Sequence, residues 1–155
     1  MGPRSLAHRV MRAFRARLGF TGHLDAVYIS YPEKLLAAAR DLVDKSEFSI
    51  AVVVAHMACE ISVERAMLRA YKAKGIEYLE QPIKDLWLGY NLNNERVRKL
   101  YKAVTGDEIQ KQSFWGEFKA SATRRNNAVH DGKIATNEEA EASFNAASKL
   151  VAYLK

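Results

Sequence analysis

The residues from Arg124 to Gly132, Arg-Arg-Asn-Asn-Ala-Val-His-Asp-Gly, carry the side chains best suited to chemistry in this chain. An arginine guanidinium is a planar set of donors that fits phosphate oxygens, and histidine titrates near neutral pH. Arg125 and His130 could therefore together stabilise a crowded phosphorane and move a proton. RNA supplies its own nucleophile, the 2′-hydroxyl, so such a site needs no metal.

The spacing of arginine and histidine is weak evidence by itself. With 12 arginines and 4 histidines in 155 residues, about 0.9 matches to Arg-x(4 to 6)-His are expected by chance, and Arg17 with His23 is one such match. The alternative interpretation is structural. His130 would then cap the C-terminal end of a helix and interact with its dipole, while Arg124 and Arg125 would contact solvent or a neighbouring carboxylate.

A single straight helix would separate the two side chains. Arg125 and His130 are five residues apart, hence roughly 140° apart around a helix axis, whereas Asn126 and His130, four apart, are nearly stacked. Arg125 and His130 can converge in two ways. The helix frays over residues 128–131, ahead of a glycine, or two copies of the chain meet.

Helices are the elements that must position this stretch. Apolar residues at threes and fours, together with capping patterns, predict helices over about 30–44, 46–75, 82–88, 94–104, 108 into the arginine-histidine stretch, and 136–154. We therefore expect an all-α bundle of about five to six helices in one domain. The second helix is apolar on most sides, so it should lie at the centre, surrounded by the others.

His56, Glu60 and Glu64 follow one another at four-residue steps along this central helix. They could be metal ligands, a general base or a buried network that orients neighbouring groups. We favour the network, because one helix alone supplies few metal ligands and a buried carboxylate needs a cation. Arg124 or Arg125 on the facing helix is the expected partner.

The charge of the chain favours anionic partners. A formal charge of +6 indicates that clustered Lys and Arg can displace counterions from a phosphate backbone. Residues 1–24 carry five arginines and no acid, with an apolar residue at every fourth position. We assign residues 1–29 to a basic amphipathic arm and loop. The arm fits a nucleic-acid contact, a membrane-surface helix, a presequence or a helix packed on the domain with its arginines in water.

The single cysteine, Cys59, lies in an apolar run, so the chain has no disulfide framework and no zinc-ligand spacing. We expect it to be buried in a protein of a reducing compartment. The apolar run is interrupted by His56 and Glu60 well before about 20 apolar residues, the length that spans a membrane. The prediction is a cytoplasmic protein with no membrane span, no metal and no cofactor.

The stretch from Arg125 to His130, followed by Asp131-Gly132 and a final amphipathic helix, resembles the signature of HEPN domains, the higher-eukaryote and prokaryote nucleotide-binding group, in its Arg-x4-His branch. The central run over residues 55–64 is similar to the glutamate-bearing core helix of several HEPN branches. The resemblance covers residues 30–155. It implies a helical bundle that dimerises so that two Arg/His pairs face one basic cleft, and metal-independent cleavage of RNA that leaves a cyclic phosphate.

By position, the resemblance implies that Arg125 holds the phosphate, that His130 is the acid or base, and that Asn126 orients one of them. Three further residues would support the site: Glu60, Arg124 and His56. The resemblance also implies a toxin or phage-defence role, with RNA as substrate and an antitoxin or nucleotidyltransferase as a partner. Some HEPN domains are noncatalytic, so a helical module that binds nucleotide, RNA or a protein is the alternative.

Overall fold

The computed structural model describes residues 29–86 and 89–155, and in this part of the chain it contains six α-helices, two 3₁₀ turns and no strand. The predicted all-α bundle is confirmed. The basic arm predicted within residues 1–29 lies outside the described residues, apart from Ile29. In chain order the helices are α1 Tyr31–Asp44, α2 Phe48–Lys74, α3 Glu80–Leu86, α4 Glu95–Thr105, α5 Trp115–His130 and α6 Asn137–Tyr153.

The central position predicted for the second helix is confirmed, because α2 contacts α1, α4, α5 and α6. Its core face is a stripe at four-residue steps that includes Ala55, Cys59, Val63 and Met67, all of them buried. The helix ends where Gly75 adopts a left-handed φ of 68°, a conformation that favours glycine.

The helix directions follow from contacts at the two ends of α2. Near its start, the Ser49 hydroxyl accepts a hydrogen bond from the Ala135 N–H at 2.9 Å, just before α6 begins. Near its end, the Arg69 guanidinium donates to the Leu154 carbonyl, just after α6 ends. Helices α2 and α6 therefore run in the same direction. Helix α5 runs opposite to α6, because the short loop between them turns the chain back.

The helix that leads into the arginine-histidine stretch begins later than predicted. It begins at Trp115 rather than near residue 108, because a 3₁₀ turn at Ile109–Lys111 and an extended Gln112 with ψ of 146° precede it. This break allows Ile109 and Phe114 both to be buried, with exposed fractions of 1% and 8%. Burial of two large apolar side chains outweighs the local preference for a continuous helix.

Helix α2 is not covered on every side, which corrects the prediction that other helices surround it. Ile50 and Met57 are 51% and 43% exposed, and residues seven apart lie on one helix face. Near the C-terminal end of α5, Val129 and Ile134 are also exposed. Within α2 and α5 the exposed large apolar residues are Ile50, Met57 and Val129, and we call these three the exposed apolar residues of α2 and α5.

Candidate functional site

Helix α5 carries the arginine-histidine stretch as one uninterrupted helix through His130. The Asp131 N–H donates to the Asn127 carbonyl at 3.0 Å, and Gly132 then adopts a φ of 63° that reverses the chain. The helix therefore does not fray over residues 128–131. The first of the two predicted ways to bring Arg125 and His130 together is therefore wrong, and the meeting of two copies stays a prediction.

Arg125 lies on the side of α5 that packs on α2. It follows Phe118 and Ala122 at helical spacing, and these two side chains are 1% and 0% exposed. The Arg125 guanidinium donates through Nη1 to Asn126 Oδ1 at 3.1 Å. Its positive charge also lowers the pKa of Glu60 on α2. Asn126 is thus paired with the arginine in this structure.

His130 occupies a different position, because it is the last residue of α5 and its side chain is exposed. Within residues 29–86 and 89–155 it makes no hydrogen bond through its side chain to another protein group. The imidazole is therefore accessible to a ligand or to a second chain. Within one chain, Arg125 is partly buried and His130 is exposed, and the two side chains lie on different sides of α5.

His56 and Glu60 form a contact beneath this helix. The His56 ring is 1% exposed and stacks on Phe118, with ring centroids 5.8 Å apart and an interplanar angle of 14°. Its Nε2 lies 3.6 Å from Glu60 Oε1, which is a close electrostatic contact rather than a hydrogen bond. Neither ring nitrogen has a hydrogen-bond partner among the described residues.

The pKa of Glu60 is lowered first by its contact with His56 and then by the charge of Arg125, while partial burial acts in the opposite direction. The structure therefore arranges His56, Glu60 and Arg125 as a chain of interacting groups from the core to α5. The orienting role of these residues stays a prediction.

Glu64 and Arg124 lie apart from this network. Glu64 Oε1 pairs with Lys84 Nζ of α3 at 2.9 Å. The Arg124 side chain turns towards α6, where its Nη1 donates to Ser143 Oγ at 3.3 Å and its Nε lies 4.0 Å from Glu139 Oε1. Consecutive residues of a helix point roughly 100° apart. Of the two arginines expected to pair with a buried carboxylate of α2, it is Arg125 whose charge acts on Glu60.

A small cleft of about 80 Å³ adjoins the arginine-histidine stretch and was not foreseen from the sequence. Its lining includes Arg124, Asn127 and Lys133. Asn127 lies three residues before His130, a spacing that places both on one side of a helix. That spacing is the signal through which the sequence could have revealed Asn127, whereas Lys133 depends on the path of the loop.

Among the residues that the structure describes, no group of three or more His, Cys, Asp or Glu side chains is placed to hold a metal ion. In the same part of the chain, no helix is long and apolar enough to cross a membrane. Comparisons of the chain with protein-family models, with curated proteins and with solved structures found no match. Function is therefore inferred from the residues of the chain itself.

We expect Glu60→Gln to be less stable than the unchanged protein at pH 7, and the difference to shrink in acid. The folded-state pKa of Glu60 lies below its usual value near 4.5. Its carboxylate therefore contributes stability above the unfolded pKa and loses that contribution as pH falls through the lower folded value. Urea unfolding at several pH values between 7 and 3 measures this dependence.

The matched control is Glu77→Gln, because Glu77 is exposed and has no ion pair within the described residues. Glu60→Gln and the unchanged protein are compared at each pH. If their difference in stability stays constant from pH 7 to 3, the ionised Glu60 carboxylate does not stabilise the fold as expected.

Proposed function

We propose that this chain is a metal-independent endoribonuclease of the HEPN type, in which two copies meet and line one cleft with Arg125 and His130. The supporting observation is the arrangement on α5. Arg125 is partly buried, donates to Asn126 and acts through its charge on Glu60 of α2, and His130 is exposed at the helix end. A positioned cation for phosphate and an accessible imidazole are the two groups that RNA cleavage of this kind requires.

A second copy supplies what one chain lacks. Within one chain, the continuous helix α5 keeps Arg125 and His130 on different sides. The exposed apolar residues of α2 and α5 offer a surface that association with another copy would remove from water. In a two-fold dimer each chain presents the same surface to the other, so the ends of both α5 helices can approach one axis.

The chemistry needs one base and one acid, and two copies of His130 supply both. One imidazole removes the proton of the 2′-hydroxyl, and the 2′-oxygen attacks the adjacent phosphorus. The bond from phosphorus to the 5′-oxygen then breaks, and the second imidazole donates a proton to that leaving oxygen. The products are a 2′,3′-cyclic phosphate and a 5′-hydroxyl. Arg125 stabilises the negative charge that develops on the non-bridging oxygens.

The test is cleavage of a labelled RNA oligonucleotide by the purified protein in the presence of EDTA. We expect cleavage to proceed under chelation, to yield 2′,3′-cyclic phosphate ends and to stop when the substrate carries 2′-deoxyribose at the cleaved position. Light scattering should give the mass of two chains. If the RNA stays intact, or if chelation stops the reaction, the proposal is wrong.

A noncatalytic binding module is the second candidate function, and the separation of Arg125 from His130 within one chain favours it. The cleft lined by Arg124, Asn127 and Lys133 would then help to hold an anionic ligand without reaction. In this case RNA would bind with an affinity that falls as salt rises, and Arg125→Ala would weaken binding. The bound RNA would remain uncut however long it was incubated, so the gel separates this function from the first.

A further inference from the structure

A second cleft lies on a different side of α2 from the network of His56 and Glu60. Its volume is about 150 Å³, and its lining includes Ser62, Arg65 and Arg69 of α2. These three residues are three and four apart, so they share one face of the helix. Other lining residues come from the start of α1 and the end of α6, including Ser30, Val151, Leu154 and Lys155. We call it the Arg65 cleft.

Positive charge in the Arg65 cleft exceeds negative charge. Lys155 Nζ pairs with Glu33, and this contact is the main reason that the pKa of Glu33 falls to about 2. Arg69 donates to the carbonyl of Leu154, which is a neutral acceptor, so the guanidinium keeps its full charge. Within residues 29–86 and 89–155, no carboxylate oxygen lies within 4.0 Å of a guanidinium nitrogen of Arg65 or Arg69.

We propose that the Arg65 cleft binds a phosphate group. The two guanidinium groups of Arg65 and Arg69, one helical turn apart, can each direct two donors at the oxygens of one anion. Hydroxyl groups also line the cleft, at Ser62 and Ser30. A phosphate presents more oxygens to these guanidinium and hydroxyl donors than a carboxylate, which has two, so the donor set suits a phosphate better.

The size of the cleft limits the ligand. Pockets that enclose a whole drug-sized molecule have volumes of about 300 to 1,000 Å³, whereas the Arg65 cleft has about 150 Å³. A phosphate fits inside, and a nucleoside attached to it would lie outside. The phosphate could be inorganic phosphate, the terminal phosphate of a nucleotide or a phosphate of RNA. All three present the same phosphate group to the cleft, so competing ligands are needed to tell them apart.

Equilibrium dialysis with radiolabelled inorganic phosphate, at constant ionic strength, tests the site directly. We expect the unchanged protein to bind phosphate saturably. The affinity of Arg65→Gln for phosphate should be lower by at least about tenfold, as loss of a charge-assisted hydrogen bond implies. Arg65→Lys keeps the charge but not the planar fork, so its affinity should lie between the two. Circular dichroism checks that both variants fold.

The matched control is Arg96→Gln, because Arg96 is exposed on α4 and its loss changes the net charge by the same amount. It should bind phosphate as the unchanged protein does. Phosphate dialysis and RNA cleavage are separate measurements, so failure of the proposed ribonuclease function is distinguishable from failure of the phosphate site. The proposal is overturned if the unchanged protein shows no saturable binding, or if Arg65→Gln and Arg96→Gln bind phosphate equally well.

Competition then identifies the source of the phosphate. Adenosine monophosphate, an RNA oligonucleotide with a 5′-phosphate and the same oligonucleotide with a 5′-hydroxyl are each added to the labelled complex. Displacement by the mononucleotide assigns a nucleotide phosphate, and displacement by both oligonucleotides assigns an RNA backbone phosphate. Displacement by the 5′-phosphorylated oligonucleotide alone assigns an RNA end. Displacement by unlabelled phosphate alone assigns the inorganic ion.

Discussion

We expect His130→Ala to lower the rate of RNA cleavage by about 10²- to 10⁴-fold, the contribution typical of a positioned acid or base. The side chain is exposed at the end of α5, so its removal leaves no cavity in the core. Circular dichroism and the mass of the dimer should therefore be unchanged. Single-turnover cleavage under EDTA, followed on a gel, measures the rate.

Lys119→Ala is the matched control, because Lys119 is an exposed residue of the same helix. Its cleavage rate should equal that of the unchanged protein. A cleavage rate for His130→Ala within a few-fold of that control would rule out the assigned role of the imidazole. A rate that fell together with the helical signal would indicate damage to the fold instead.

A shared cleft makes a further demand on His130. One imidazole is the base and the other is the acid, so a mixed dimer of one unchanged chain and one His130→Ala chain lacks one of the two groups. When equal amounts of the two chains are refolded together, only about a quarter of the dimers contain two imidazoles, and the activity should fall to about that fraction of the activity of the unchanged protein. An activity that stayed at about one half would contradict a cleft built from both chains.

The largest effect on stability is expected for Phe118→Ala, which should lower the free energy of unfolding by about 3 to 5 kcal/mol. Phe118 is 1% exposed. Its ring packs on His56 and lies 5.2 Å from the Trp115 ring, centroid to centroid. Truncation removes these contacts and leaves a cavity between α2 and α5. Urea unfolding at neutral pH provides the measurement, and the thermal midpoint should fall by roughly 10 °C.

Tyr78→Ala serves as the control for Phe118→Ala, because the Tyr78 side chain is aromatic but 73% exposed. Its free energy of unfolding should stay within about 0.5 kcal/mol of the unchanged protein. A loss below about 1 kcal/mol in Phe118→Ala would mean that the α2–α5 contact adapts to the smaller side chain, contrary to the close packing of this region.

The helices were largely predictable because their signals are local. The serine and glutamate at the start of α1 close its first turn, with the Ser30 N–H donating to Glu33 Oε2 at 2.8 Å. Gly75 ends α2 where expected. The start of α5 was not predictable, because the break before Trp115 depends on where Ile109 and Phe114 are buried, and that depends on distant parts of the chain.

Part of the geometry around the candidate residues was also predictable. The position of Arg125 on the apolar side of its helix follows from helical spacing, and its charge adds to the effect of His56 in lowering the pKa of Glu60. The sequence could not decide between Arg124 and Arg125 as the partner of that carboxylate. The decision depends on the side from which α6 packs, since Ser143 and Glu139 of α6 lie beside Arg124.

The hydrogen bond between Ala135 and Ser49 has a consequence for motion near His130. It fastens the loop that follows the imidazole to the start of the central helix, at 2.9 Å, and the Ala135 residue is 7% exposed. The Ala135 amide proton can exchange with water only when this fastening opens. Its exchange rate therefore reports how often the loop after His130 detaches from α2. A slow rate would mean that this loop holds the C-terminal end of α5, and with it His130, firmly in place.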